Sequence, residues 1–168
     1  RMTAERAGAT LVPLTPNPLD AVWPDQPEPP RARAVPHPLE LAGETSQSKR
    51  ARLAEDLKKR GADAAVITMP DSVCWLLNIR GSDVPHTPFV LAFAILNADS
   101  GVDLFLDAKK TTPDLLAHLG NEVRLRAPSE FGPALDAFKD KSLLGDPQWA
   151  AAFIFDMLHG AGAKRSEE

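Results

Sequence analysis

The side chains best equipped for binding chemistry are concentrated in one short segment, between positions 78 and 88. Amide, guanidinium, hydroxyl, carboxylate and imidazole groups follow one another there, on Asn78, Arg80, Ser82, Asp83 and His86. An arginine in such a group is suited to a carboxylate ligand, because its planar guanidinium can donate two parallel hydrogen bonds. Gly81 permits a tight backbone bend, and two prolines stiffen the exit from the segment. One interpretation of this composition is a ligand-facing loop on a rigid scaffold, with Arg80 as the partner of a carboxylate.

A purely structural interpretation of the same loop stays open at this point. Ser82 and Asp83 could satisfy local backbone amides, and Arg80 could form an ion pair with Asp83. The residue types alone favour this structural interpretation over the binding one.

No group of residues in the chain has the spacing of a catalytic or metal centre. A two-metal hydrolase needs several carboxylates and at least one histidine that converge on the ions. The four histidines are dispersed, with no HxH or HExxH pattern: His37, His86, His118 and His159. Cys74 lies in a run of large apolar residues, where a reactive thiolate would be poorly stabilised. Because nucleophile-elbow and phosphate-loop patterns are also missing, we predict no catalytic residue, no metal ligand and no bound cofactor.

Charge and composition limit the classes of partner. A formal net charge of −4 provides no basic surface for nucleic acid. No apolar run approaches the ~20 residues that a membrane span needs. A single cysteine cannot form an internal disulfide, which is ordinary for a reduced protein. We therefore expect a cytoplasmic protein that binds neither nucleic acid nor membranes.

The elements around the loop alternate between helix and strand. Thr45 or Ser46 begins a predicted helix that runs to about Arg60, with Leu53 and Leu57 on its apolar face. The charged residues of that helix are placed on its solvent face: Lys49, Arg50, Lys58 and Lys59. Residues 89–96 are apolar throughout and predict a central strand, followed by a hairpin to residues 102–106. Further strands near residues 62–68, 122–125 and 141–144 and helices near 112–120, 129–139 and 148–159 predict an α/β fold with a mixed sheet.

Proline sets the first 40 residues apart from the rest. Nine of the 16 prolines lie there, so residues 13–40 should form an extended arm. Before the arm, a helix over residues 3–8 and a strand over residues 9–14 look like the end of a preceding domain. We therefore divide the chain into a remnant of that domain (1–20), a proline-rich linker (21–40), an α/β domain (41–163) and a polar tail (164–168).

Three ordered motifs resemble those of long-form, three-domain Xaa-Pro aminopeptidases. The stretch WLLNIRGSDVPHTP, from Trp75 to Pro88, is similar to the family pattern WLxNxRGSDVxxxP. The stretch NPLDAVWPDQP, which starts at Asn17, is similar to the joint between the first two domains of the family, with departures at Leu19 and Gln26. ELAGE, followed by a charged helix, is similar to the start of the middle domain.

The resemblance implies a fold, a partner domain and a role for the loop. The fold would be that of a creatinase N-terminal domain, with about six strands in a mixed sheet flanked by helices. The chemistry of the family uses two divalent metals, typically manganese, in a separate C-terminal pita-bread domain, so this chain alone is expected to be inactive. Residues of the loop would face the substrate cleft of the intact enzyme: Asn78, Arg80, Asp83 and His86. The implied partners are the catalytic domain, a second copy in a homodimer, and proline-containing peptides as substrate.

A different class of function also stays open at the level of sequence. A domain of this kind could act alone as a peptide- or protein-binding module, with the loop from 78 to 88 holding a peptide terminus.

Overall fold

The computed structural model describes residues 4, 6–10, 12, 14, 16–160 and 164–166. The predicted helix over 3–8 and strand over 9–14 lie partly outside these residues. Among the described members of 9–14, none belongs to a strand.

The predicted helix starts with capping residues agree with the structure. Thr45 caps the long central helix by accepting a hydrogen bond from Ser48 N at 3.1 Å. Thr112 caps another helix in the same way, from Leu115 N at 3.2 Å, with Pro113 at its first position. The described α-helices are α1 (Pro18–Val22), α2 (Leu39–Ala42), α3 (Ser46–Lys59), α4 (Pro70–Leu77), α5 (Pro113–Leu119), α6 (Phe131–Asp136) and α7 (Ala152–Gly160).

Two sheets organise the chain, a large mixed one and a small one beside the loop. The strands are β1 (Val35–Pro36), β2 (Ala64–Ile67), β3 (Ile79–Arg80), β4 (Phe93–Asn97), β5 (Val102–Phe105), β6 (Val123–Arg126), β7 (Ser142–Gly145) and β8 (Lys164–Ser166). The large sheet has six strands in the order β6-β5-β4-β2-β7-β8, and β1 pairs with β3 separately. β4 is antiparallel to both of its neighbours, whereas β7 is parallel to both β2 and β8. The predicted mixed sheet, with the most apolar strand at its centre, is confirmed.

Helices cover both faces of this sheet and bury two apolar cores. On one face, α3, α4 and α5 pack against sheet residues such as Ala94, Leu96 and Leu104. On the other face, α6 and α7 pack against residues such as Ile95 and Phe105. Alternate residues of β4 therefore point into opposite cores, as the two-residue period of a strand requires.

Several element boundaries differ from the predictions. β4 begins at Phe93 rather than at residue 89, because the preceding amides bond to side chains: Val90 N to Cys74 Sγ at 3.4 Å and Leu91 N to Asp83 Oδ2 at 2.7 Å. The last helix starts at Ala152 rather than near residue 148. Within the predicted polar tail from 164 onward, the backbone of Lys164–Ser166 forms β8 beside β7.

The placement of Lys49 and Arg50 on the solvent face of α3 is wrong. Both are buried, with 2% and 4% of their surface exposed. Lys49 Nζ donates to Trp75 O at 3.0 Å, near the C-terminal end of α4, where a cation is favoured by the helix dipole. Arg50 donates to Ser100 O at 2.8 Å and to Glu122 Oε2 at 2.9 Å. Helical periodicity alone predicts that both residues lie at the surface. It takes no account of the polar groups on neighbouring elements to which they bond.

Asp103 on β5 forms ion pairs with two arginines on β6, and these contacts depend on the ionised state of its carboxyl group. It accepts hydrogen bonds from Arg124 Nε, Arg126 Nε and Asn97 Nδ2 at 2.9, 2.8 and 3.2 Å. Burial acts to raise the pKa of Asp103, but the hydrogen bonds from the two arginines and the asparagine outweigh it, so the pKa lies below its ordinary value.

Substitution of Asp103 is expected to remove a pH-dependent part of the stability. A carboxyl group with a depressed pKa stabilises the fold above its unfolded-state pKa, and this contribution disappears as the pH falls through the folded-state value. We expect Asp103→Asn to be less stable than the wild type at pH 7, and this difference to shrink as the pH falls below 4. Urea denaturation at several pH values measures it. A difference that stays constant with pH would contradict the role of Asp103.

Candidate functional site

The segment singled out by its residues begins where α4 ends. α4 buries Val73, Cys74, Leu76 and Leu77, so its last turn is fixed against the core. Asn78 then adopts the left-handed conformation, with φ 50° and ψ 54°, and ends the helix. Asparagine tolerates this conformation better than most residues, because its side chain makes local hydrogen bonds. The chain leaves the helix in β3, which pairs antiparallel with β1 of the arm.

Backbone hydrogen bonds close residues 81–89 into a compact loop. Gly81 N donates to Pro88 O at 3.3 Å, and Asp83 N donates to Phe89 O at 3.2 Å. At the tip, Thr87 N donates to Val84 O at 3.1 Å. His86 lies in this turn with a positive φ of 61°, and its side chain is exposed. The loop therefore presents a narrow tip, with its base held by the domain.

Asn78 belongs to the frame of the loop. It is buried, its Oδ1 accepts from Lys49 Nζ at 2.7 Å, and its Nδ2 donates to Glu44 O at 2.8 Å. Its backbone carbonyl accepts from His37 N at 2.8 Å. Burial lowers the pKa of Lys49, against the opposing effect of Glu44. Through these bonds at both ends of its amide, Asn78 holds the base of the loop.

Asp83 also belongs to the frame, through a partner that the sequence did not suggest. Its side chain is fully buried and pairs with Lys110, whose Nζ lies 2.6 Å from Asp83 Oδ2. The other carboxylate oxygen accepts from Ala32 N at 3.1 Å. Asp83 does accept from backbone amides, but they belong to Ala32 and Leu91 and are not the local amides that were predicted, and the predicted ion pair with Arg80 is wrong. No sequence signal identifies Lys110, because it lies 27 positions from Asp83, at the end of a short 3₁₀ helix.

Of the four predicted site residues, Arg80 and His86 have side chains that are at least partly exposed. Arg80 is half-buried, and its Nη1 donates to Ile79 O at 2.8 Å and to Cys74 O at 3.4 Å. It forms no ion pair with any carboxylate of the described chain. The pKa of the nearby His37 is lowered, mainly by partial burial and further by the positive charges of Arg80 and Lys49. The loop thus combines a half-buried cation near its base with an exposed imidazole at its tip.

Comparison with known proteins settles the family of the chain. Residues 25–168 match the sequence pattern of the creatinase/prolidase N-terminal domain. The chain belongs to this family.

Relatives of this creatinase/prolidase N-terminal domain include fungal proteins described as probable Xaa-Pro aminopeptidase P. The one from Neosartorya fischeri is 41% identical over 125 residues, which cover 74% of this chain and 19% of the relative. The one from Paracoccidioides lutzii is 35% identical over 144 residues, which cover 85% and 22%. The chain therefore spans about a fifth of the length of the curated relatives it matches.

Solved structures agree on the fold. The X-prolyl aminopeptidase of Caenorhabditis elegans, described as a cytosolic enzyme with a di-nuclear active site, matches 99% of this chain and 28% of its own, with a TM-score of 0.89 and 25% identity. The N-terminal domain of the Mycobacterium tuberculosis peptidase PepQ matches 72% of the chain with a TM-score of 0.51 and 15% identity, which shows a shared fold.

Within the described part of this creatinase/prolidase N-terminal domain, no set of three or more histidine, cysteine or acidic side chains is arranged to hold a metal ion. Burial raises the pKa of Cys74, which disfavours a nucleophilic thiolate. No helix of the described residues is long and apolar enough to cross a bilayer. The loop presents a guanidinium group, which can donate to an anionic or carbonyl oxygen, and an imidazole, which can form a hydrogen bond.

Gly81 is needed where the loop leaves β3. A Cβ atom there would lie 2.6 Å from Val90 Cγ2 and 3.2 Å from the carbonyl oxygen of Phe89. We expect Gly81→Ala to lower the free energy of unfolding by about 1–3 kcal/mol, because the entry to β4 must shift. Gly132→Ala is the matched control, since its Cβ would meet only Phe153 at 3.7 Å and alanine favours a helix. Equal effects of the two changes in urea denaturation would contradict the close packing at Gly81.

Proposed function

We propose that this domain is a non-catalytic part of an Xaa-Pro aminopeptidase and that its loop from 78 to 88 forms part of the substrate cleft. The observation that carries this proposal is the match of 99% of the chain, with a TM-score of 0.89, to the nematode enzyme with a di-nuclear active site. The exposed tip on a fixed base is what a substrate-facing loop requires, because a binding group must be held in position before the substrate arrives.

In this proposal the reaction takes place in a catalytic domain that is joined to this one. That domain would supply two divalent metal ions, which we expect to be manganese, to activate the attacking water. Arg80 and His86 would contact the peptide, and Asn78 and Asp83 would fix the loop. The substrates would be peptides with proline in the second position, and the compartment would be the cytoplasm.

The arm is proposed to contribute to assembly. Leu19 and Val22 on α1 and Trp23 directly after it are between 48% and 75% exposed, which is unusual for three apolar residues so close together. We expect them to be covered by a preceding domain or by a second copy in a homodimer. Light scattering that shows a monomer, with no change after removal of residues 1–23, would argue against the homodimer.

An activity assay tests the proposed function. We expect a polypeptide that joins this domain to its catalytic domain to release arginine from an Arg-Pro-Pro peptide when loaded with Mn²⁺. The domain alone, given the same ion, is expected to release none. Release by the domain alone would overturn the non-catalytic role. Tight binding of the peptide by the domain alone, with no activity in the joined polypeptide, would favour a stand-alone binding module instead.

A further inference from the structure

The buried ion pair of Asp83 and Lys110 joins three segments that are distant in sequence. Lys110 Nζ donates to Asp83 Oδ2 at 2.6 Å and to Leu91 O at 3.3 Å. Asp83 in turn accepts from Leu91 N at 2.7 Å and from Ala32 N at 3.1 Å. The arm, the base of the loop and the run into β4 therefore meet at one pair of charges.

The pair is shielded from water, and the relative positions of its two side chains can therefore vary little. Side-chain exposure is 5% for Lys110 and 0% for Asp83. A buried charge must keep its partner and its hydrogen bonds, because water cannot replace them. Any displacement of Asp83 would leave the ammonium group of Lys110 with only its 3.3 Å contact to Leu91 O, so the position of the loop base is tightly determined.

The arm adds further contacts on the same side. Ala34 N donates to Lys110 O at 2.9 Å, so the backbone of Lys110 is tied to the arm as well as its side chain. Val35 then pairs with Arg80 across the β1–β3 ladder. Both ends of the loop base are thus fixed by residues 32–37 together with Lys110.

The tip itself depends on this fixed base. His86 holds a positive φ, a conformation that non-glycine residues keep only where the surrounding structure enforces it. Asp83 is three positions before His86 and is the last residue of the loop before the tip whose side chain is buried. The backbone between them makes its hydrogen bonds inside the tip, as in the bond from Thr87 N to Val84 O. The side chain of Asp83 therefore fixes the tip on the incoming side, together with the backbone bonds of Gly81 N to Pro88 O and of Asp83 N to Phe89 O.

We propose that Lys110 is a positioning residue for substrate recognition, acting through Asp83 on the orientation of Arg80 and His86. This inference rests on the proposed function, because it assumes that the loop meets substrate. Lys110 does not touch the peptide in this account. Its role is to hold the loop in the conformation that binds.

The test compares Lys110→Met with Arg50→Met in the joined, metal-loaded enzyme. Arg50 is the matched control, because it is equally buried and also paired with a carboxylate, Glu122, but makes none of the contacts that hold the base of the loop. Steady-state kinetics with an Arg-Pro-Pro peptide and hydrogen exchange of the amides in residues 81–91 are measured at a temperature where both variants are folded. Asp83→Asn, which keeps the size of the side chain, is the second variant if Lys110→Met does not fold.

A positioning role of Lys110 and a purely structural role predict changes in different kinetic constants. A variant that is only destabilised loses active molecules and therefore kcat, with KM unchanged. A displaced binding loop raises KM, and we expect Lys110→Met to raise it about 10- to 100-fold and to accelerate exchange in residues 81–91. Arg50→Met is expected to leave KM and the exchange of the loop as they are.

Two outcomes would overturn the inference, and they can be told apart. If His86→Ala raises KM but Lys110→Met does not, the loop meets substrate and Lys110 does not position it. If neither His86→Ala nor Arg80→Ala changes kcat/KM, the proposed role of the loop fails, and the inference about Lys110 fails with it.

Discussion

Replacement of Asp83 by alanine is expected to lower the free energy of unfolding by about 3–5 kcal/mol. The reason is that the buried ammonium group of Lys110 would lose its carboxylate partner. Lys110 is 4% exposed, and its ammonium group would keep only the weaker contact with Leu91 O at 3.3 Å. The amides of Ala32 and Leu91 would lose their acceptor at the same time. Urea denaturation followed by circular dichroism measures the change.

Asp107→Ala is the control for this prediction. Asp107 is a neighbouring carboxylate that caps a short 3₁₀ helix through Lys109 N at 2.9 Å and lies 3.5 Å from Arg31 at the surface. Its loss should cost about 1 kcal/mol or less. The double variant Asp83→Ala, Lys110→Met should recover part of the stability, because it removes both charges. An effect of Asp83→Ala as small as that of Asp107→Ala would contradict the buried pair.

The second large effect is expected in catalysis. In the joined, metal-loaded enzyme, Arg80→Ala and His86→Ala should each lower kcat/KM for an Arg-Pro-Pro peptide by roughly 10- to 100-fold. This range corresponds to the loss of one hydrogen bond to a charged group, about 1.5–3 kcal/mol. His86→Ala should leave the stability of the domain nearly unchanged, since its side chain is exposed at the tip.

Ser82→Ala provides the matched control within the same loop. Ser82 is exposed and lies between Arg80 and Asp83, so this change tests whether any alteration of the loop reduces activity. We expect kcat/KM to stay within about twofold of the wild type, as for a surface substitution with a small energetic effect. If Arg80→Ala and His86→Ala behave like Ser82→Ala, the loop has only a structural role.

The density of polar groups between 78 and 88 singled out this loop as a candidate, and its role in binding stays a prediction. The structure shows how the loop is built, which the sequence did not indicate. Asn78 and Asp83 turned out to be frame residues, because their partners come from Lys49, Glu44, Ala32 and Lys110. Pairs formed between distant segments leave no periodic pattern in a single sequence.

The fold was predictable where one local signal dominated. Threonine caps, the proline at the start of α5 and the apolar run of β4 all indicated their elements correctly. The errors arose where a tertiary contact overrides the local pattern. The strand β4 starts late because Leu91 N is taken by Asp83, and the charged Lys49 is drawn inward by the carbonyl end of α4. The division of the chain into a remnant (1–20), a linker (21–40) and an α/β domain (41–163) stays a prediction.

The most direct test of the account measures the proximity of the loop to the metal centre. A trifluoromethyl tag is attached to Val84→Cys at the tip, with Lys59→Cys as the control at the far end of α3, about 15 Å along the helix from Lys49. Cys74 is buried and should not react. Fluorine relaxation in the joined enzyme is compared between Mn²⁺, whose unpaired electrons shorten relaxation of nearby nuclei, and diamagnetic Mg²⁺. We predict strong broadening by Mn²⁺ at position 84 and little at position 59. Equal relaxation at position 84 with both ions would contradict a loop that faces the catalytic cleft.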